Sequence, residues 1–166
     1  MVAAGLLGPE EEVELIGGEI VPMSAKGNRH ERVRRMLVDW MYRRIREEFH
    51  LLVEPGWRPG QHDYLEPDLL VVPAAHVNMD IPAQAARLAV EIADSSLAKD
   101  TGLKRDRYAT LGVPEYWVVE AWPLTTRVYR DPVDGAYGEP LLLPASELLV
   151  PRLVPEIAVR MADLGL

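Results

Sequence analysis

The chain has 166 residues, is 48% apolar and carries a formal net charge of −8, with 26 acidic against 18 basic side chains. That is about one domain, apolar enough to bury a core, so a disordered tail is excluded, and the acidic balance argues against a generally basic nucleic-acid coat. The longest apolar runs, such as 69–72 and 148–150, are far too short to span a bilayer, and no cysteine is present for a disulfide or a thiolate metal site.

Residues 1–12 lack the basic start and long apolar run of a signal peptide, which makes a cytoplasmic protein the expectation. Segments 13–16 and 19–23, separated by Gly17 and Gly18, read as a β-hairpin. Val33, Met36, Leu37, Trp40, Met41, Ile45 and Phe49 then recur at helical spacing. Asn28 is placed to cap that helix, and Glu31, three residues on, completes a capping box. Seven arginines (29, 32, 34, 35, 43, 44 and 46) crowd the same stretch, opposed only by Glu31 and Asp39. The plain reading is a solvated face with ion pairs; the alternative is a contact for nucleic-acid phosphates.

Segment 51–54 reads as a short strand, followed by a loop rich in Gly and Pro over 55–67. Segments 68–72 and 87–93 are continuous apolar runs of strand length, as expected of strands covered on both faces. A second helix is predicted over 97–111, stopping at Gly112 with Pro114 beyond. Strands follow at 115–120 and 125–130, then a turn at 131–135 and a proline-spaced tail. This order predicts a single domain over residues 1–166: a mixed central β-sheet with helices on its faces, an α/β or α+β sandwich. The paucity of Asn and Gln beside 14 prolines fits a heat-adapted, thermophile source, although a GC-rich genome produces the same bias.

Two carboxylates stand in unusual places. Glu91 interrupts Leu88-Ala89-Val90-Glu91-Ile92-Ala93, where a charge is costly unless paired, protonated or bound to metal. Asp68 opens the Leu69–Val72 run directly after Pro67. If these strands are neighbours, two hard oxygen ligands meet at one end of the sheet, which suits Mg²⁺ or Mn²⁺. The structural alternatives are a turn-capping role for Asp68 and an arginine partner, Arg87 or Arg105, for Glu91. Lys104 shares a helical stripe with Leu97, Thr101, Tyr108 and Leu111, the face expected to meet the sheet, where its ammonium can reach the acids. Its structural alternative is a surface pair with Asp100 at i,i+4. Glu19, alternating with Val21 and Met23, and His30, in the first turn of the basic helix, are further candidates. Each also fits a structural role, at the hairpin end for Glu19 and in the core or cap for His30. Asp63, Glu66 and Asp94 are other nearby acids. No Walker loop, G-x-S-x-G elbow or H-E-x-x-H signature competes.

Val13-Glu14-Leu15-Ile16-Gly17-Gly18-Glu19-Ile20 and Arg29-His30-Glu31-Arg32-Val33 resemble the opening of the Uma-two family of putative restriction endonucleases. Pro67-Asp68-Leu69-Leu70-Val71-Val72 and Ala89-Val90-Glu91-Ile92 resemble its two metal-binding strands. Lys99-Asp100 through Lys104, Tyr108-Ala109 and Gly112-Val113-Pro114-Glu115-Tyr116-Trp117-Val118-Val119 are the strongest match. The resemblance implies a restriction-endonuclease-like core and a PD-(D/E)xK site. The residue two places after the second acid is Ala93; the resemblance implies a lysine taken from the following helix instead, a place that Lys104 fits. Glu19 matches the family's early acid and His30 its histidine. The chain departs at Glu120, where an aspartate is usual, and at Ala93-Asp94-Ser95-Ser96, where Leu-Ser-Pro-Ser is typical.

The expected function is therefore a Mg²⁺- or Mn²⁺-dependent endonuclease acting on DNA. Asp68, Glu91 and the Ile92 carbonyl hold the metal, and Glu19 binds it, directly or through water, or else holds Lys104 in place. Lys104 orients the attacking water, and a homodimer cuts both strands. The alternatives are a catalytically idle module of the same fold, binding DNA or acting as an oligomeric scaffold, and hydrolysis of another phosphate substrate.

Overall fold

The computed structural model describes residues 12–76 and 81–166, so the reading of the first residues lies almost wholly outside it. The chain opens on an antiparallel hairpin, β1 (Val13–Ile16) and β2 (Glu19–Pro22). Gly17 and Gly18 take positive φ at its turn, as expected of the glycine pair. Helix α1 (Asn28–Tyr42) follows, and then a six-stranded sheet is assembled. Its strands are β3 (Phe49–Val53), β4 (Leu69–Pro73), β5 (Leu88–Ala93), β6 (Glu115–Glu120), β7 (Thr126–Arg130) and β8 (Leu141–Leu143), in that spatial order. Only the β5–β6 pair is parallel. A parallel pair needs a crossover, and the helical segment 97–110 supplies it. The fold is thus the mixed α/β sheet with an N-terminal hairpin that the sequence predicts.

Each face of the sheet has its own core, as the doubly apolar strands require. Val33, Leu37 and Met41 of α1 pack with Leu69, Val71, Leu88, Val90 and Ile92 on one face. The tail covers that face too, through β9 (Leu148–Leu149), β10 (Val159–Arg160) and the Met161–Leu164 turn. On the other face Leu70, Val72, Ala89 and Ala93 meet Ile16, Trp57, Tyr108 and Tyr116. Glu91 falls between Ala89 and Ala93 in the alternation, so it belongs to this second face, where two alanines leave room beside it.

Helix α1 corrects two expectations. It ends at Tyr42, and Phe49 opens β3 instead. Ile45 and Phe49 still pack on the first core, so the apolar spacing continues past the point where the helix stops. Gly27 is the N-cap, and Asn28 is already helical. Glu31 turns to Arg34 and His30 rather than closing a capping box.

The crossover helix is continuous but not uniform. Leu97–Lys99 (α2) and Arg105–Thr110 (α3) flank a π-helical turn at Asp100–Lys104. Asp100 and Lys104, four residues apart and so on one face of the helix, both face inward, ahead of Tyr108. Gly112, at φ 78°, ends the helix.

Candidate active site

Strands β4 and β5 pair up to Leu69↔Val90, and the same register carried one step further sets Asp68 opposite Glu91. There the ladder gives way to a side chain: the Ile92 N–H donates to Asp68 Oδ2 at 2.7 Å. Asp68 Oδ1 lies 2.9 Å from His30 Nε2, which ties the strand end to the first turn of α1. Glu91 Oε1 accepts from Lys104 Nζ at 2.9 Å and from the Tyr108 hydroxyl at 2.8 Å. Lys104 Nζ is also 2.9 Å from Glu14 Oε1. All of these side chains are buried.

The structure therefore gathers Asp68, Glu91, Lys104 and His30 around one small cavity of about 30 Å³, room for a single ion or water. Lys26, Glu66, Asp94, Ser96 and Lys99 also line it. Neither structural alternative for the central pair describes the geometry. Lys104 is buried against Glu91 and Glu14 rather than paired at the surface, and Glu91 bonds Lys104 and Tyr108 rather than an arginine.

Glu19 is not brought to the cavity. It sits opposite Ile16 at the turn end of the hairpin, exposed, beside a shallow hollow lined by Leu103, Asp106 and Arg107. The hairpin's contribution is Glu14, one pleat repeat (about 7 Å) further from the turn on the same face. Glu14 is the residue that sequence reasoning missed. Val13-Glu14-Leu15-Ile16 reads as naturally with Leu15 inward, but Leu15 exchanges backbone hydrogen bonds with Tyr64, and Glu14 and Ile16 are the buried pair. Asp100 is the other missed acid, buried with its carboxylate bonded by Ser96. Asp100 lies four residues before Lys104 on the same helix face, so the stripe that turns Lys104 inward carried the signal for Asp100 as well.

The electrostatics follow from this crowding. Burial opposes a charge on Lys104, but Glu91, Glu14 and Asp100 outweigh it and push its pKa up, so it is an ammonium. Burial pushes the Glu91 carboxyl well above the usual range; Lys104 opposes that shift, while Asp68, Asp100 and Glu14 add to it. Asp100 is raised first by its burial, against the pull of Lys104 and Ser96. His30 loses by burial but gains more from its bond to Asp68, and its pKa rises.

Glu14 and Glu91 thus share the one buried ammonium, Asp68 and Asp100 are buried beside them, and Glu14 Oε2 is buried with no hydrogen-bond partner. Such an excess of hard, partly unsatisfied oxygen is the donor chemistry a divalent cation neutralises. Among the described residues, no three His, Asp or Glu side chains converge to hold an ion by themselves. The donor set still fits Mg²⁺, which is commonly bound by one or two carboxylates with water and phosphate completing its shell.

Residues 4–162 match the Uma2 family, described as "Putative restriction endonuclease". The chain belongs to this family. Among solved structures, the Uma2 fold here is similar to that of a putative nuclease belonging to DUF820 from Anabaena variabilis ATCC 29413. The TM-score is 0.71 at 20% identity, covering 98% of this chain and 94% of the other. At that identity the likeness speaks for the fold. No curated protein matches the chain. No helix among the described residues is long and apolar enough to cross a membrane.

Proposed function

We propose that this chain is a single-domain, cytoplasmic endonuclease that hydrolyses DNA phosphodiester bonds. A divalent ion, Mg²⁺ or Mn²⁺, would be held by Asp68, Glu91 and the backbone carbonyl of Ile92. The observation that carries this reading is the convergence of Asp68, Glu91 and Lys104, from two strands and a helix, on one cavity of ionic size. Membership of the Uma2 family supports it.

When bound, such an ion supplies Lewis acidity that polarises the phosphate and lowers the pKa of an attacking water. Lys104 holds its proton, so its part is electrostatic: it orients the water and offsets the charge that builds on the pentacoordinate phosphorus. His30 fixes the Asp68 carboxylate through Oδ1, and the Ile92 N–H fixes it through Oδ2, so a ligand oxygen arrives pre-oriented. Tyr108 does the same for Glu91. Glu19, at the exposed turn, is left out of this ligand set. Arg32 and Arg35 line an open groove on α1 with Asn28 and Val38, a surface suited to the DNA backbone. Cleavage of both strands would call for a dimer.

One observation favours a second reading, a catalytically idle module of the same fold: the ammonium of Lys104 already sits on Glu91. Calorimetric titration of Mn²⁺ into the wild type and Glu91→Ala, followed by plasmid nicking, separates the two. Binding and nicking lost together in the variant support the nuclease. A wild type that binds no Mn²⁺, even with DNA present, leaves the idle module.

A further inference from the structure

We infer that Glu14 is a positioning residue that draws the Lys104 ammonium off Glu91, leaving Glu91 able to bind a divalent cation. The inference rests on the metal-dependent reading above and adds a residue to it. Lys104 Nζ lies 2.9 Å from Glu14 Oε1 and 2.9 Å from Glu91 Oε1. An ammonium this deeply buried has to keep a carboxylate partner. With Glu91 alone, lysine and cation would compete for one carboxylate. With Glu14 in place, the lysine has a second seat, and the cation has Glu91.

Glu14 is built for that task. Its strand is locked to β2 through Glu14↔Val21 and to the loop through the reciprocal Leu15–Tyr64 bonds. Its Oε1 is steadied by the Glu66 N–H at 2.9 Å. Its Oε2 is buried without a hydrogen bond, 3.7 Å from Lys99 Nζ, so each of its oxygens faces a lysine. The buried Glu115 shows what a purely structural carboxylate looks like in this fold. Trp117 and Arg130 occupy its Oε1, and the Arg152 N–H its Oε2. Glu14 is bonded less fully: beyond its Oε1 contacts its second oxygen has only the ion pair with Lys99.

The test is a double-mutant cycle read by Mn²⁺ calorimetry on wild type, Glu14→Gln, Lys104→Gln and the double variant. Glu14→Gln should weaken Mn²⁺ binding by about tenfold. Lys104→Gln should change little in the wild-type background and tighten binding by about tenfold when Glu14 is already Gln. If Lys104→Gln has the same effect in both backgrounds, net charge alone explains the data and the inference is overturned. Glu14→Asp keeps the charge and shortens the reach. It should bind Mn²⁺ with an affinity between wild type and Glu14→Gln, and wild-type affinity overturns the inference even if Glu14→Gln does not fold. Absence of Mn²⁺ binding in the wild type overturns the metal reading itself, and this inference with it.

Discussion

The Lys104 ammonium and the Glu91 carboxylate, one on the crossover helix and one on β5, meet at 2.9 Å inside the protein. Either charge alone at that depth would be expelled or neutralised; together they persist because each is the other's counter-ion. The pair is bracketed by Glu14 on one side and Tyr108 on the other, so the lysine is held without being saturated.

Glu91→Gln keeps an acceptor for Tyr108 but removes the charge. Plasmid nicking should fall by at least about 100-fold, because loss of a ligand exceeds the loss of a group that merely orients one. Tyr108→Phe is the companion. The ring still packs against Trp57 and Tyr116, and only the hydroxyl bond to Glu91 is lost. Denaturant unfolding should show a loss of about 1 kcal/mol. Full nicking by Glu91→Gln would remove that residue from the mechanism.

The α1 groove makes a salt-dependent prediction. Arg34 is held by Glu31 and Glu54, whereas Arg32, which donates to the Gly165 carbonyl, and Arg35 are exposed along the groove. Replacing both with Ala should lower the slope of log binding constant against log salt by about 1.8 for duplex DNA, measured by fluorescence anisotropy with Ca²⁺ in place of Mg²⁺. An unchanged slope places the DNA elsewhere.

Asp63 anchors the hairpin to the crossover helix, accepting from Arg107 Nε at 2.7 Å and from the Gly17 N–H at 2.9 Å. Burial works against its charge, but Arg107 and Gly17 outweigh burial and hold its pKa below the ordinary 3.8. A carboxylate lowered on folding stabilises the fold above its unfolded pKa, and that contribution disappears as the pH falls through the folded value. Asp63→Asn should therefore cost about 1–3 kcal/mol near neutrality. The gap to wild type should narrow below about pH 4 in urea melts. A gap that stays constant into acid would show that charge is not what Asp63 contributes.

The π turn contains Gly102, where an added Cβ would meet nothing within 4 Å. Gly102→Ala should raise stability by about 0.5–1 kcal/mol, seen as a higher Tm, since it lowers the freedom of the unfolded chain without a clash. Gly56 is the contrast: a Cβ there would lie 2.5 Å from the Tyr64 hydroxyl oxygen, and Gly56→Ala should lower Tm.

Local pattern was enough for the hairpin, the central strands and the presence of both helices, though not for the cap and the end of α1. Apolar periodicity and glycine placement are properties of adjacent residues, and β6 falls at residues 115–120 as read from the chain. The oddity of a carboxylate inside Leu88–Ala93 was legible for the same reason, since a charge in a doubly covered strand conflicts with its own neighbours. What the chain could not show is which acid from the hairpin reaches the cavity. Glu14 and Glu19 share one face of β1 and β2, and their difference is depth, decided by where Tyr64 pairs with Leu15. Spacing puts Asp100 and Lys104 on one helix face, but it does not decide whether that face is buried or pairs at the surface. Burial, register across strands and the company of distant charges are long-range quantities, and only the folded chain decides them.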